Sequence, residues 1–240
     1  MKYSFYSLAL LTSCLLAGIN GIKAQSASNH GKKFEQLDAL LPSPNVYRTA
    51  SGAPGANYWQ QRADYDIKCE LDEDQLKLTG SEVITYHNNS PDALTYLWLQ
   101  LDENQHSSVN NANYQSGSTL QKEVSDRALD MVEERKSDNG YGFIISKITD
   151  VLGKPLKHTV NKTMMRVDLA TPLKPNTSFA FKIDWSYKIA NRMETRGARG
   201  GYEFFKEDGN YLFTMAQWYP RMCKYGDEIG WQNHQFTGTG

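Results

Sequence analysis

Apolar and polar residues alternate along most of the chain, and the alternation has period two. In "ADYDIKCEL" the residues Ala63, Tyr65, Ile67, Cys69 and Leu71 interleave with Asp64, Asp66, Lys68 and Glu70. That spacing predicts a half-buried strand with one polar face, and it places the Cys69 thiol on the apolar side as a small buried hydrophobe. "QLKLTGSEVITYHN" keeps Leu76, Leu78, Ile84 and Tyr86 on one side, and Gly80 midway predicts a bulge or bend. "LTYLWLQL" is apolar on both faces and reads as a central or doubly covered strand. "TMMRVDLA" alternates through Met165, Val167 and Leu169, and "SFAFKIDWSYKI" through Phe179, Phe181, Ile183, Trp185, Tyr187 and Ile189. "GYGFIISKITDV" followed by "LGKPL" predicts a strand running into a tight turn.

One stretch breaks this rhythm. Leu120, Val124, Ala128, Met131 and Val132 recur at helical spacing, Ser118 and Gln121 offer a capping box, and Asn139-Gly140 marks a stop. The expectation is a mainly β fold, an antiparallel β-sandwich, with one inserted amphipathic helix.

The ends divide differently. Residues 1–24 carry Lys2, an apolar run from Leu8 to Gly18 and Ala24 before a polar stretch, the layout of a secretory signal peptide. Export to the periplasm or the medium is therefore expected. Leu11-Thr12-Ser13-Cys14 offers a second reading as a lipoprotein box that would acylate Cys14, but apolar residues continue past Cys14 as in an ordinary signal core. Residues 25–57 hold the breakers "LPSPN" and "SGAPG" and read as an extended lead-in, with "FEQLDALL" as a short helical turn; 58–240 then form the β domain. No other segment is long and apolar enough to span a bilayer.

Charge and cysteine usage narrow the chemistry. Taking residues 1–24 away removes Lys2 and Lys23 and no acid, so 26 basic side chains become 24 against 27 acidic ones, a formal charge of −3. That balance argues against nucleic acid as a partner, which calls for a basic stripe. Cys69 and Cys223 remain in a compartment that permits disulfides, and their pairing depends on geometry. Cys223, flanked by Arg221 and Lys224, reads as a packed loop cysteine or as a thiol of lowered pKa. His30, His87, His106, His158 and His234 show no i,i+4 pair, and neither H-E-x-x-H nor C-x-x-C occurs, so no metal site and no catalytic set is read in this chain. G-x-S-x-G is absent as well. "RGARGGYEF" lacks the ending of a phosphate cradle and reads as a glycine loop. In the closing stretch Trp218, Tyr219, Pro220 and Arg221 predict a rigid, half-buried corner. Gln217 beside it offers both donors and acceptors: it could orient an amine or simply satisfy local backbone.

Four stretches together carry a family resemblance: "LPSPNVYRTASGAPGANYWQQRADYDI", "LTGSEVITYHNNSPDALTYLWLQLDEN", "GGYEFF" and "AQWYPRMCKYGDEIGWQNHQFTGTG". They resemble the start of zinc aminopeptidases of the aminopeptidase N family, in the bacterial exported branch, over nearly all of residues 33–240. The resemblance implies a saddle-shaped N-terminal β domain followed by a thermolysin-like domain. There H-E-x-x-H and a distant Glu hold zinc, and the motif Glu acts as general base on peptide substrates. It also implies that a Gln of the N-terminal domain lines the pocket for the first substrate residue, the position that Gln217 matches. The chain stops after "FTGTG", so the expectation is a truncated aminopeptidase domain without zinc ligands, inactive alone, whose partners are the catalytic domain and its peptide substrate. The alternative is a free-standing exported β-sandwich that binds a ligand or a protein through aromatics.

Overall fold

A computed structural model of the chain describes residues 44–110, 138–194 and 200–236, with positions 123, 125, 126 and 129 between them. The chain divides after Ser43, and residues 44 onward make up the unit set out below. The signal segment 1–24, Cys14 and "FEQLDALL" lie outside the described residues, as does most of the helix expected over 118–140.

The first sheet is built from β1 (Arg62–Asp72), β2 (Lys77–Asn88), β7 (Thr177–Lys188) and β4 (Ile144–Asp150), in the order β1-β2-β7-β4. The second contains β10 (Arg221–Met222), β3 (Leu94–Gln100), β6 (Met164–Leu173) and β5 (His158–Asn161), in the order β10-β3-β6-β5. Two hairpins join these sheets among the described residues: β8 (Gly201–Phe205) with β9 (Asn210–Thr214), and β11 (Tyr225–Gly226) with β12 (Gly230–Trp231). Every one of these strand pairings is antiparallel. The period-two pattern had called for this arrangement of half-buried strands.

Ile84, Tyr86, Phe181, Ile183, Trp185 and Tyr187 from one sheet join Leu97, Leu99, Met165 and Val167 from the other in a single core, each no more than 2% exposed. Burying a large apolar side chain contributes about 1.5–3 kcal/mol, so these inward rows are the main source of stability. A one-residue slip of β2 against β7 would turn Ile84 and Tyr86 outward, and that fixes the register Ile84↔Phe181 and Tyr86↔Phe179.

Several expectations are corrected. β2 runs through Gly80 without a bulge, its register unbroken against both β1 and β7. The irregularities fall instead between Leu94 and Tyr96 in β3 and between Ile145 and Lys147 in β4. Cys69 is exposed, not buried. Its cross-strand partner is Gly80, which has no side chain to cover it, and Leu71 two residues on is 39% exposed at the end of this edge strand. β3 is central in its sheet but covered on one face only: Leu97 and Leu99 are buried, while Tyr96 and Trp98 on the other face are half-exposed, with the Arg166 guanidinium 4.1 Å from the Tyr96 ring centre. Leu76 stands in the turn before β2, in a left-handed conformation with φ 50°.

Candidate functional site

The corner at residues 217–221 joins β9 to β10 and is held at three points. Trp218 meets the buried Trp185 edge-on at 6.1 Å, and Tyr219 meets Tyr65 edge-on at 5.4 Å. Arg221 donates from Nε to one oxygen of Asp102 at 2.8 Å, and its Nη2 forms an ion pair with the same oxygen at 2.8 Å. Asp102 is 1% exposed and opens the short 3-10 turn Asp102–His106. The backbone N–H of Met222 donates to the Tyr65 hydroxyl at 2.8 Å, which pins the exit from the corner to β1. Aromatic packing and a charge-assisted pair thus fix the chain on the C-terminal side of Gln217.

Gln217 itself has φ 56°, in the left-handed region that disfavours a side chain with a Cβ. Its Oε1 is buried and accepts no hydrogen bond. A strained backbone and an orphaned acceptor on one residue, next to an anchored segment, form an arrangement that ordinary packing does not reward. An amide oxygen so placed can accept from an N–H that the chain does not supply, such as an amine or amide of a bound molecule.

Titratable groups are buried close by. Glu82 projects inward from β2, fully buried, and neither of its carboxyl oxygens has a partner. Burial pushes its pKa to about 8. The Tyr65 phenol is raised to about 12, first by burial and also by Tyr219 and Glu82, against the Met222 N–H and Arg221. Glu103 in the 3-10 turn is pushed to about 8 by burial and by neighbouring Asp102. His106, 3.8 Å from Glu103, is lowered to about 4 by burial. At neutral pH that contact therefore joins a neutral imidazole to a protonated carboxyl and is no ion pair. Asp102 is raised by burial, with Arg221 pulling the other way.

Among the described residues, no three His, Cys, Asp or Glu side chains are grouped so as to hold a metal ion. His87 sits 2.9 Å from Asp64, His158 Nδ1 is 3.3 Å from the Leu156 carbonyl, and His234 is exposed. Cys69 and Cys223 are both free. Cys223 is buried and its thiol is pushed up to about 12 by burial, against the opposite pull of Arg221. The lowered-pKa reading of that cysteine is thereby overturned, because the cation cannot offset the loss of water.

Sequence reasoning singled out Gln217 and the aromatic corner but passed over Glu82 and the 102–106 turn. The signal for Glu82 was present, since it shares the inward parity of Leu78, Ile84 and Tyr86 on β2.

No protein-family model matches the sequence, and no curated protein matches it. Solved structures that it resembles include an M1 zinc metallopeptidase variant from Deinococcus radiodurans bound to a Tyr-Ser-Ala substrate. That alignment has 12% identity, covers 63% of this chain and 26% of that one, and gives a TM-score of 0.36. A second M1 zinc metallopeptidase structure from Deinococcus radiodurans aligns at 12% identity over 64% of this chain and 28% of that one, with a TM-score of 0.35. A two-domain M1 zinc metallopeptidase variant bound to L-arginine aligns at 12% identity and a TM-score of 0.36, over 63% of this chain and 26% of that one. The chain spans about a quarter of the length of these structures.

Proposed function

We propose that this β unit is the N-terminal domain of a zinc-dependent aminopeptidase, in which Gln217 accepts a hydrogen bond from the free amino end of a peptide. The observation that carries the reading is the Gln217 amide oxygen, buried without a donor on a residue held at φ 56°. The sequence resemblance of "AQWYPRM" to the segment closing that domain in the aminopeptidase N family supports it. In this reading the zinc ion and the carboxylate that activates water belong to a catalytic domain that is the partner of this one. The 240 residues alone turn over no peptide, and residues 1–24 direct export.

A second reading is a free-standing exported β-sandwich that binds a ligand or protein. It is favoured by the β8–β9 hairpin, where Phe204, Tyr211 and Leu212 are 47%, 41% and 49% exposed. The DNA beyond codon 240 separates the two. An H-E-x-x-H codon run within a few hundred bases, in frame or frameshifted, supports the aminopeptidase reading. An unrelated gene with its own start favours the binding module. Chelator-sensitive turnover of an aminoacyl chromogenic substrate by the purified chain with zinc would contradict both.

A further inference from the structure

β1 ends the first sheet, and among the described residues neither a strand nor an isolated bridge occupies its outer side. At 11 residues it is a long edge, and such an edge presents a row of unpaired N–H and C=O groups to any strand that approaches. Its two halves differ. Arg62, Ala63 and Tyr65 line a cleft shared with Met222–Glu228, and the Tyr65 hydroxyl accepts from the Met222 N–H. Lys68, Cys69, Glu70 and Leu71 are all exposed. The open stretch is the C-terminal half.

This half carries groups that its own sheet leaves unused. Lys68 and Glu70 stand opposite the neutral Ser81 and Thr79 of β2, and neither forms an ion pair among the described residues. On the other face Cys69 stands opposite Gly80, and Leu71 is 39% exposed. The apolar row Ile67, Cys69 and Leu71 therefore runs out at the edge only partly covered.

A second copy of the same strand supplies what is missing. Paired residues share a face of the sheet, so antiparallel pairing of two β1 strands about Cys69 keeps both apolar faces on one side. It sets Cys69 against the partner's Cys69, Ile67 against the partner's Leu71 and Lys68 against the partner's Glu70. Two-fold symmetry makes each of the last two contacts twice. The neighbouring registers are poorer. Centring on Lys68 or Glu70 opposes like charges on the axis. Centring on Ile67 opposes Asp64 to the partner's Glu70 and draws in the half already engaged with Met222–Glu228. In the Cys69 register Asp66 and Asp72 meet only at the two ends, which limits the pairing to residues 67–71.

We propose that β1 is a homodimerisation edge: two copies of the chain pair antiparallel about Cys69, with Lys68 of each against Glu70 of the other. The proposal is independent of any aminopeptidase role. The interface is small, so a reversible, concentration-dependent dimer is expected. Sedimentation equilibrium of the full chain in reducing buffer, from micromolar to millimolar concentration, tests it. Lys68→Glu and Glu70→Lys should each weaken the dimer about tenfold, since each turns two attractive cross-strand pairs repulsive. They move the net charge in opposite directions, so a common loss is no effect of overall charge. Both changes in one chain should restore the dimer to within about threefold of the parent. Asp66→Asn should tighten it about two- to threefold, whereas the Ile67 register, which sets Asp66 against Lys68, demands the reverse. Lys68, Glu70 and Asp66 are exposed, so none of these changes disturbs the core. A second readout is chemical. Paired residues lie about 4.5–5.5 Å apart at Cα, within disulfide reach. Copper(II)–phenanthroline, which takes two electrons as the two thiols release two protons, should therefore yield a Cys69–Cys69 linked peptide by mass spectrometry. A chain monomeric throughout the range, a dimer indifferent to the single reversals, a double reversal no tighter than either single one, a weaker dimer in Asp66→Asn, or no linked peptide overturns the proposal.

Discussion

The Trp185 indole packs so closely on Gly80 that a Cβ at residue 80 would lie only 2.3 to 2.6 Å from three carbons of its ring. Gly80 and Trp185 are cross-strand partners in β2 and β7, and the missing side chain of one makes room for the largest buried side chain of the other. Gly80→Ala must therefore move a core tryptophan or bow the central strand pair. A loss of about 1–3 kcal/mol is expected, the usual cost of overpacking. Urea unfolding should show a lower midpoint with an unchanged slope, and a midpoint equal to that of the parent would show that the ring can step aside.

The Arg221–Asp102 pair ties β10 to the 3-10 turn and so determines where the Gln217 corner sits. Asp102 has one orphaned oxygen already, and Arg221→Ala would strand the whole carboxylate in the interior. Breaking a buried pair from one side costs about 3–5 kcal/mol. The Arg221 side chain is 36% exposed, which puts the expectation at the lower end of that range. Adding Asp102→Asn to Arg221→Ala should recover part of the loss, because the stranded group is then neutral. Additive single and double variants in a thermodynamic cycle would deny the coupling.

How far the sequence discloses this architecture depends on which residue is asked. The inward row Phe181, Ile183, Trp185 and Tyr187 was legible because period two is dictated by strand geometry and each residue obeys it. Gly80 was misread because a strand glycine that admits a bulge and one that admits a neighbour's ring look alike until the partner strand is known. Cys69 was misplaced because parity gives the side of the sheet but not whether anything covers that side. The Gln217 corner could be located from its aromatics, whereas the left-handed backbone and the orphaned oxygen depend on contacts more than a hundred residues apart, Arg221 with Asp102 and Tyr219 with Tyr65.

Glu82 makes stability depend on pH in a stated direction. Its folded pKa of about 8 lies above its ordinary 4.5, so the folded chain holds a proton that the unfolded chain releases. The resulting stabilisation is complete below pH 4.5 and is lost as the pH rises toward 8, at about 1.4 kcal/mol per pH unit for one such group. Glu103, also near 8, adds a slope of the same sign. Glu82→Gln removes one of the two, so its stability curve should be flatter across that window and should cross above the parent on the alkaline side. Denaturant titrations at several pH values measure it, and parallel curves for parent and variant would rule the carboxyl out as the source.

Gln217 sets backbone strain against a side chain that the protein leaves unsatisfied, and two substitutions separate these. Gln217→Gly removes the left-handed penalty, about 1–2 kcal/mol, and with it the orphaned oxygen, so the isolated chain should become more stable. Gln217→Ala keeps the strained φ and deletes only the amide, so it should gain less. In a protein that joins this domain to a zinc-bearing catalytic domain, both variants are expected to raise KM for peptides with a free amino end, with a smaller effect on N-acetylated ones used as competitive ligands. A glycine variant that gains stability while KM stays at the parental value would leave Gln217 with a backbone role alone and remove the residue on which the aminopeptidase reading rests.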